Sequence, residues 1–427
     1  MRVHRTITLR ETASIIMGQS PPGSTYNEQG IGLPFFQGIR DFEYRFPVPR
    51  VFCTAPTRIA KQGDILLSVR APIGKVNVAN IDCAIGRGLA IIRPRRESDC
   101  RYIEFALRSL ESSWHSIEGS GSVFGNATKQ DLEQLRIPWP EEHERVRIAH
   151  ILGTLDDKIE LNRRMNETLE QMARAIFKSW FVDFEPVQAK ISGRWKKGES
   201  LPGLPAHLWD LFPDRLVPSK LGDIPEGWEA GHFGDIVKLQ RNNEIPFNSP
   251  NLVFKYFSIP AFDNDQSPRE EVGKKIRSIK YRVSPGAILI SKLNPDNYRT
   301  WLVDVAPNDN AICSTEFLVF YPQSPIDLEF IFCLAQSDFF HKQLECLANG
   351  TSKSHQRIRP NDILNATILR YPRNLIESFS RLNKPLLDRM VISRREIGTL
   401  KALRNILITR IFSGGWSNLT DLFARSK

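Results

Sequence analysis

Arg147–Phe181 reads RIAHILGTLDDKIELNRRMNETLEQMARAIFKSWF. Stepping alternately by four and three residues from Ile148 picks out Ile148, Leu152, Leu155, Ile159, Asn162, Asn166, Leu169, Ala173, Ile176 and Trp180. Eight of these ten are apolar, which is the seam of a coiled-coil helix with two polar layers at its middle. No proline interrupts the stretch and no glycine follows Gly153. An apolar stripe of this kind needs a partner to cover it.

The partner lies between Ser378 and Phe412. At an offset of 231 residues Asp157 falls on Asp388, Arg163-Arg164 on Arg394-Arg395, Thr168-Leu169 on Thr399-Leu400, and Phe181 on Phe412. The seam carries over as Phe379, Asn383, Leu386, Met390, Ser393, Ile397, Leu400, Arg404, Leu407 and Ile411. The polar layer at Asn162 recurs at Ser393, so Asn162, Asn166 and Ser393 are the candidates for fixing register. A period of about half the chain indicates duplication rather than a solenoid.

The segments between the helices repeat too. Gly286-Ala-Ile-Leu-Ile-Ser matches Gly63-Asp-Ile-Leu-Leu-Ser, Phe317–Pro322 matches Leu89–Pro94, and Asp362-Ile363 matches Asp131-Leu132. Each match is trivial alone; their common order, leading into matched helices, is not. The offset jumps between Ser291 and Ala311, so the second copy carries a longer loop there. Short β-prone runs, such as Gly63–Val69 and Lys75–Ala79 around Ala71-Pro72-Ile73-Gly74, make each copy a β-rich mixed domain. Residues 184–228 contain Pro186, Pro202, Pro205, Pro213, Pro218 and Pro225, and read as an extended connector with little regular structure.

The 427 residues, 41% hydrophobic and 25% charged, describe a globular protein with room for more than one domain. No signal-peptide h-region and no spanning apolar run occurs, so the chain reads as cytoplasmic, with no membrane association. Six cysteines without a CxxC pair indicate reduced thiols and no metal site. The net charge of +10 is compatible with nucleic acid. Residues 141–190 carry −2 while residues 376–427 carry +6, opposite signs that suit two helices lying together, although chance sampling of exposed faces gives the same asymmetry.

A helix of this length spans about 50 Å. Packed antiparallel, two such helices put the two copies at opposite ends, and one chain imitates a symmetric dimer reading DNA half-sites about 34–36 Å apart. A duplicated scaffold that tethers two protein partners without touching DNA is the alternative.

Two blocks narrow the choice. Asp156-Asp-Lys-Ile-Glu-Leu-Asn-Arg-Arg-Met-Asn-Glu-Thr-Leu-Glu through Phe177-Lys-Ser-Trp-Phe-Val-Asp-Phe-Glu-Pro-Val resembles the central region of type I restriction–modification specificity (S) subunits. So does Leu211-Phe-Pro-Asp followed by Leu221-Gly-Asp-Ile-Pro-Glu-Gly-Trp228. The distal helix departs from the pattern at Asn383 and Arg404. The resemblance implies an α+β fold, with two pseudo-symmetric β-rich mixed α/β target-recognition domains joined by two long antiparallel coiled-coil helices. The expected segments are target-recognition domain 1 (1–141), central helix (142–183), connector (184–228), target-recognition domain 2 (229–373), distal helix (374–413) and tail (414–427). It also implies a double-stranded DNA target read in two halves, two methyltransferase (M) subunits and two restriction (R) subunits. Adenine methylation and ATP-dependent cleavage would belong to those partners, which would use S-adenosylmethionine, ATP and magnesium. No cofactor is expected in this chain.

The residues themselves point away from catalysis. There is no GxxxxGK[ST] loop, since Gly193–Gly198 lacks the spacing, and no HExxH. Asn294-Pro-Asp-Asn shares only its first two residues with the motif of adenine methyltransferases. Base readout favours Arg or Lys for guanine and Asn or Gln for adenine, with Ser, Thr and backbone N–H groups on phosphates. The first-copy candidates are Arg70, Lys75, Arg87, Ser120, Ser122, Asn126 and Lys129. Those of the second are Lys292, Asn294, Asn297, Arg299, Thr351, Lys353, Ser354 and Gln356, with the longer 292–299 loop as the favoured base-reading element.

Overall fold

The computed structural model of the protein describes residues 5–111, 114, 126–324, 327–348 and 356–415. The chain divides into two compact units, residues 1–161 with 399–427, and residues 162–398. The fold is α+β.

In the first unit, β1 (Ala13–Met17), β2 (Ile65–Ser68), β3 (Val76–Val78) and β4 (Leu89–Pro94) form an antiparallel sheet in the order β1-β4-β2-β3. Ile91 of β4 sits opposite Ile16 on one side and Leu66 on the other. These strands read as continuous apolar runs because both faces are covered. Ile65, Leu67, Ala90 and Ile92 join a core with Tyr102, Phe105 and Ile137, while Leu66, Leu89 and Ile91 join another with Phe36 and Ile85. A second sheet has the order 26–27, 52–53, 33–36, 83–85, 59–60, with Phe35 opposite Ala84 in its parallel pair. Thr6–Thr8 pairs with Arg136–Pro138.

The second unit repeats this plan. β5 (Val237–Gln240), β6 (Ile288–Ser291), β7 (Thr300–Leu302) and β8 (Phe317–Pro322) take the order β5-β8-β6-β7. Alternation again feeds two cores, Ile288, Ile290, Leu318 and Phe320 in one, and Leu289, Phe317 and Val319 with Trp301 in the other. Glu229–His232 pairs with Thr367–Arg370, as Thr6–Thr8 does with its partner. In the remaining sheet Val253–Phe257 runs parallel to Ala311–Cys313. The copies differ at the edge strand. Tyr26–Asn27 lies beside Phe52–Cys53, whereas Asn243–Glu244 lies beside Lys280–Arg282, at the other end of the sheet.

Helix α1 (Glu142–Phe181) starts after Pro140 with Glu142 and Glu144 in its first turn, favourable beside the helix's positive end. Arg145 anchors that start, its guanidinium 2.8 Å from the buried Asp99 carboxylate and 4.1 Å over the Trp139 ring. Helix α2 (Arg373–Arg410) carries Pro385 in its interior. In each unit the two helices run antiparallel. Within the first, Ile148 and Leu152 share a core with Ile408 and Ile411. Within the second, the Ser393 hydroxyl donates to the Asn162 carbonyl at 3.4 Å, and Phe177 packs edge-on against Phe379 at 5.8 Å. Phe181, near the end of α1, lies 4.8 Å from Tyr371, 5.1 Å from Phe330 and 5.2 Å from Phe379. That aromatic burial, worth about 1.5–3 kcal/mol per side chain, holds the helix end.

The two seam departures have accounts. Arg404 lies in the first unit, where its Nη1 donates at 2.7 Å to Asp156, a carboxylate with 0% exposure that also receives Arg108 at 3.2 Å. Asn383 is buried, and its amide donates at 3.0 Å to the Phe379 carbonyl one turn back, just ahead of Pro385.

Residues 184–228 differ from the extended connector that their prolines suggest. They form a helix (Glu185–Ile191), a 3-10 turn (Ala206–Leu211) and a hairpin of Leu216–Ser219 with Gly222–Pro225. Pro186 occupies the first helical turn, where no N–H is needed, and Pro205 immediately precedes the 3-10 turn. Trp195, Leu208, Phe212 and Trp228 enter the core that includes Phe181, so apolar burial outweighs the proline content. Among the described residues, no helix is long and apolar enough to cross a membrane.

Candidate nucleic-acid interface

The same backbone junction occurs in both units where the second strand of the four-stranded sheet ends. In the first, Val69 N–H donates to the Gly88 carbonyl at 2.9 Å, Ala127 N–H donates to the Val69 carbonyl at 2.9 Å, and Arg70 bridges to Asn126. In the second, Lys292 N–H donates to the Glu316 carbonyl at 2.9 Å, Ile358 N–H donates to the Lys292 carbonyl at 3.0 Å, and Leu293 bridges to Arg357. Three separate chain segments of each unit are thus tied at one point by backbone hydrogen bonds.

The structure therefore brings Arg70 and Asn126 together, both exposed. Arg87 is exposed one residue from Gly88, with its backbone N–H on the Ser20 hydroxyl at 3.3 Å. Lys75 is spent on an ion pair with Glu111, and Lys129 pairs with Glu133 at 3.4 Å along its own helix. Ser120 and Ser122 lie outside the described residues, as do Thr351, Lys353 and Ser354.

The 292–299 loop is held firmly. Asn294 takes a left-handed backbone (φ 48), its N–H donates to the Gln356 carbonyl at 2.9 Å, and its carbonyl accepts from Asn297 N–H at 2.9 Å. Arg299 grips Asp263 through two hydrogen bonds of 2.6 and 2.9 Å. Its charge is thus already paired with a carboxylate. Tyr298 stacks on His341 with centroids 3.7 Å apart, and burial pushes the His341 imidazole down to about 4. Lys292 is half-buried and Asn297 exposed.

Asn162, besides accepting from Ser393, donates through its amide to Glu396 at 2.9 Å; Asn166 is buried. Nearby, Arg394 is buried 3.8 Å from Glu170, and burial draws its guanidinium down to about 10 against the pull of that carboxylate.

Sequence reasoning missed a cleft of about 510 Å³ in the first unit, whose lining includes Gln37, Arg40, Asp41, Arg50, Arg70 and Gly88. Gln37 is fixed from two sides. Its N–H donates to Asp41 at 2.8 Å, and a Cβ on Gly88 would fall 2.1 Å from its carbonyl, so only glycine fits opposite it. Arg40, Arg50 and Arg70 are exposed, and among the described residues none has a carboxylate partner. The missed signal was Gln37-Gly-Ile-Arg40 and Pro49-Arg50, polar tips between two β-prone runs. Among the described residues, no cluster of His, Cys, Asp or Glu could hold a metal ion.

Residues 9–171 match the family model described as the type I restriction modification DNA specificity domain. A relative bearing the name type I restriction enzyme MjaX specificity subunit, from Methanocaldococcus jannaschii, is 41% identical over 162 residues, 38% of this chain and 38% of that protein. The MjaIX specificity subunit of the same organism is 27% identical over 376 residues, 84% of this chain and 78% of its own length. The crystal structure of the type I restriction–modification S subunit from M. genitalium shares the fold, with a TM-score of 0.55 over 96% of this chain and 97% of that one, at 13% identity.

Proposed function

We propose that the chain is a member of the type I restriction–modification specificity-subunit family, which the family model over residues 9–171 and the two relatives support, and that it is the DNA-reading subunit of such a complex, without catalysis of its own. Each three-sheet copy reads one half of a bipartite double-stranded target, and the paired helices α1 and α2 set the spacing between the halves. Two M subunits methylate adenine with S-adenosylmethionine under its direction, and two R subunits add cleavage that consumes ATP with magnesium. The observation that carries this proposal is the junction repeated in both units, with Arg70 bridged to Asn126 and Leu293 to Arg357. It presents a different side-chain set from the same framework, as two readers of unlike half-sites require. The divergent edge strands, Tyr26–Asn27 and Asn243–Glu244, support the same independence.

The test is a complex reconstituted with M subunits and titrated with randomised duplex DNA over a range of salt. A split sequence preference is expected, with affinity falling steeply as salt rises. No preference at any salt would reject DNA readout in favour of a protein-tethering scaffold.

A further inference from the structure

The geometry points to the first-unit cleft as the place where one half-site is read, with Gln37 and Arg70 as base-reading residues and Arg40 and Arg50 as phosphate clamps. This rests on the DNA-reading function proposed above and divides the work among four side chains.

The division follows from how each backbone is held. Arg70 directly follows Val69, whose N–H and carbonyl are both used at the junction, and Arg70 itself bridges to Asn126. Its backbone is fixed while its side chain is exposed and, among the described residues, has no carboxylate partner. Gln37 is fixed by Asp41 and by the glycine-only approach of Gly88. Both residue types recognise a base edge through two parallel hydrogen bonds, Arg with guanine and Gln with adenine, and such contacts discriminate only when the side chain is preorganised. Arg40, in the 3-10 turn Ile39–Asp41, and Arg50, after Pro49, sit on exposed loop positions of the same cleft. A guanidinium on a loop suits a phosphate, which demands charge more than exact placement.

Five other arginines of the first unit are engaged by carboxylates. Arg45, Arg93, Arg101, Arg108 and Arg145 each lie within 3.2 Å of an aspartate. Glu28 also lines the cleft. A carboxylate there repels phosphate and can accept from the amino group of cytosine, which favours a base rather than a free anion as the occupant.

The experiment uses the complete complex with M subunits and selection from duplexes randomised in one half-site at a time. Arg70→Ala and Gln37→Ala are expected to relax one or two positions of one half-site, losing roughly 5- to 150-fold discrimination there, with the other half-site unchanged. Arg70→Lys keeps the charge, loses the fork, and is expected to relax the same position. Arg40→Ala and Arg50→Ala are expected to weaken all sequences alike and to lower the salt slope by about one each. If Arg70→Ala, Arg70→Lys and Gln37→Ala keep the wild-type preference at every position, the assignment is overturned while DNA readout stands. A wild-type complex without any preference overturns the function on which the assignment rests.

Discussion

Asp156→Asn tests how the first unit holds its part of the helix pair. The Asp156 carboxylate is fully buried and accepts from Arg404 at 2.7 Å, from Arg108 at 3.2 Å and from the Tyr44 hydroxyl at 2.8 Å. Asparagine keeps the shape and removes the charge. Arg108 retains Glu104 at 2.9 Å, whereas Arg404 is left with the Tyr44 hydroxyl and Asn405. Removing one partner of a buried ion pair costs about 3–5 kcal/mol, and the surviving Glu104 contact places this case near the lower end, about 3 kcal/mol. For a unit of this size that lowers Tm by roughly 6–12 °C. Calorimetry of the intact chain is the assay, because two compact units need not melt together. Pairing Asp156→Leu with Arg404→Met removes both charges of the pair and is expected to recover most of the loss, as apolar replacement of buried pairs generally does. Acid provides a further arm. Burial opposes ionisation of Asp156, but Arg108 and Arg404 prevail and hold it below the usual carboxylate range. The unfolded chain therefore takes up the proton first as pH falls. This stability is complete above the ordinary aspartate value of about 3.9 and declines below it, through the folded value. A Tm for Asp156→Asn within about 1 °C of wild type would refute the account.

His341 titrates in a different window. Burial depresses it to about 4 from 6.5, so the unfolded state binds its proton first. Second-unit stability should fall by up to about 1.4 kcal/mol per pH unit between those values; an unchanged slope in His341→Gln would discount it. Gly88→Ala forces a Cβ to within 2.1 Å of the Gln37 carbonyl. It should destabilise the first unit by about 1–3 kcal/mol and blur one half-site only, read by melting and by selection. Inserting four residues near Glu167 should lengthen the spacer with both half-sites intact; methylation mapping showing an unchanged spacer would reject the helix pair as ruler. Exchanging residues 229–373 for those of another family member should change one half-site; a change in both would show that the units do not read independently.

What the sequence revealed depended on whether the cause was periodic. The seam of α1 recurs every few residues, so its continuation at Phe379–Ile411 could be found without coordinates, and Asn162 and Ser393 do meet. Arg404 broke the period and stayed unexplained, because its partner Asp156 lies off it. Asp156 is not on the α1 seam; it is buried because Arg108 and Tyr44, 48 and 112 residues away in sequence, close over it. The connector misled for a related reason. Proline content measures what a backbone cannot do, whereas the fold of residues 184–228 was decided by where Trp195 and Trp228 could be buried. The candidate DNA contacts show the same limit most sharply. Arg70 and Arg299 are equivalent by composition and by loop position, and only three-dimensional pairing separates them. Asp263, 36 residues earlier, pairs with Arg299, while among the described residues no carboxylate pairs with Arg70. A cation's availability is a property of its neighbours, which is why the cleft at Gln37, Arg40 and Arg50 emerged only with the fold.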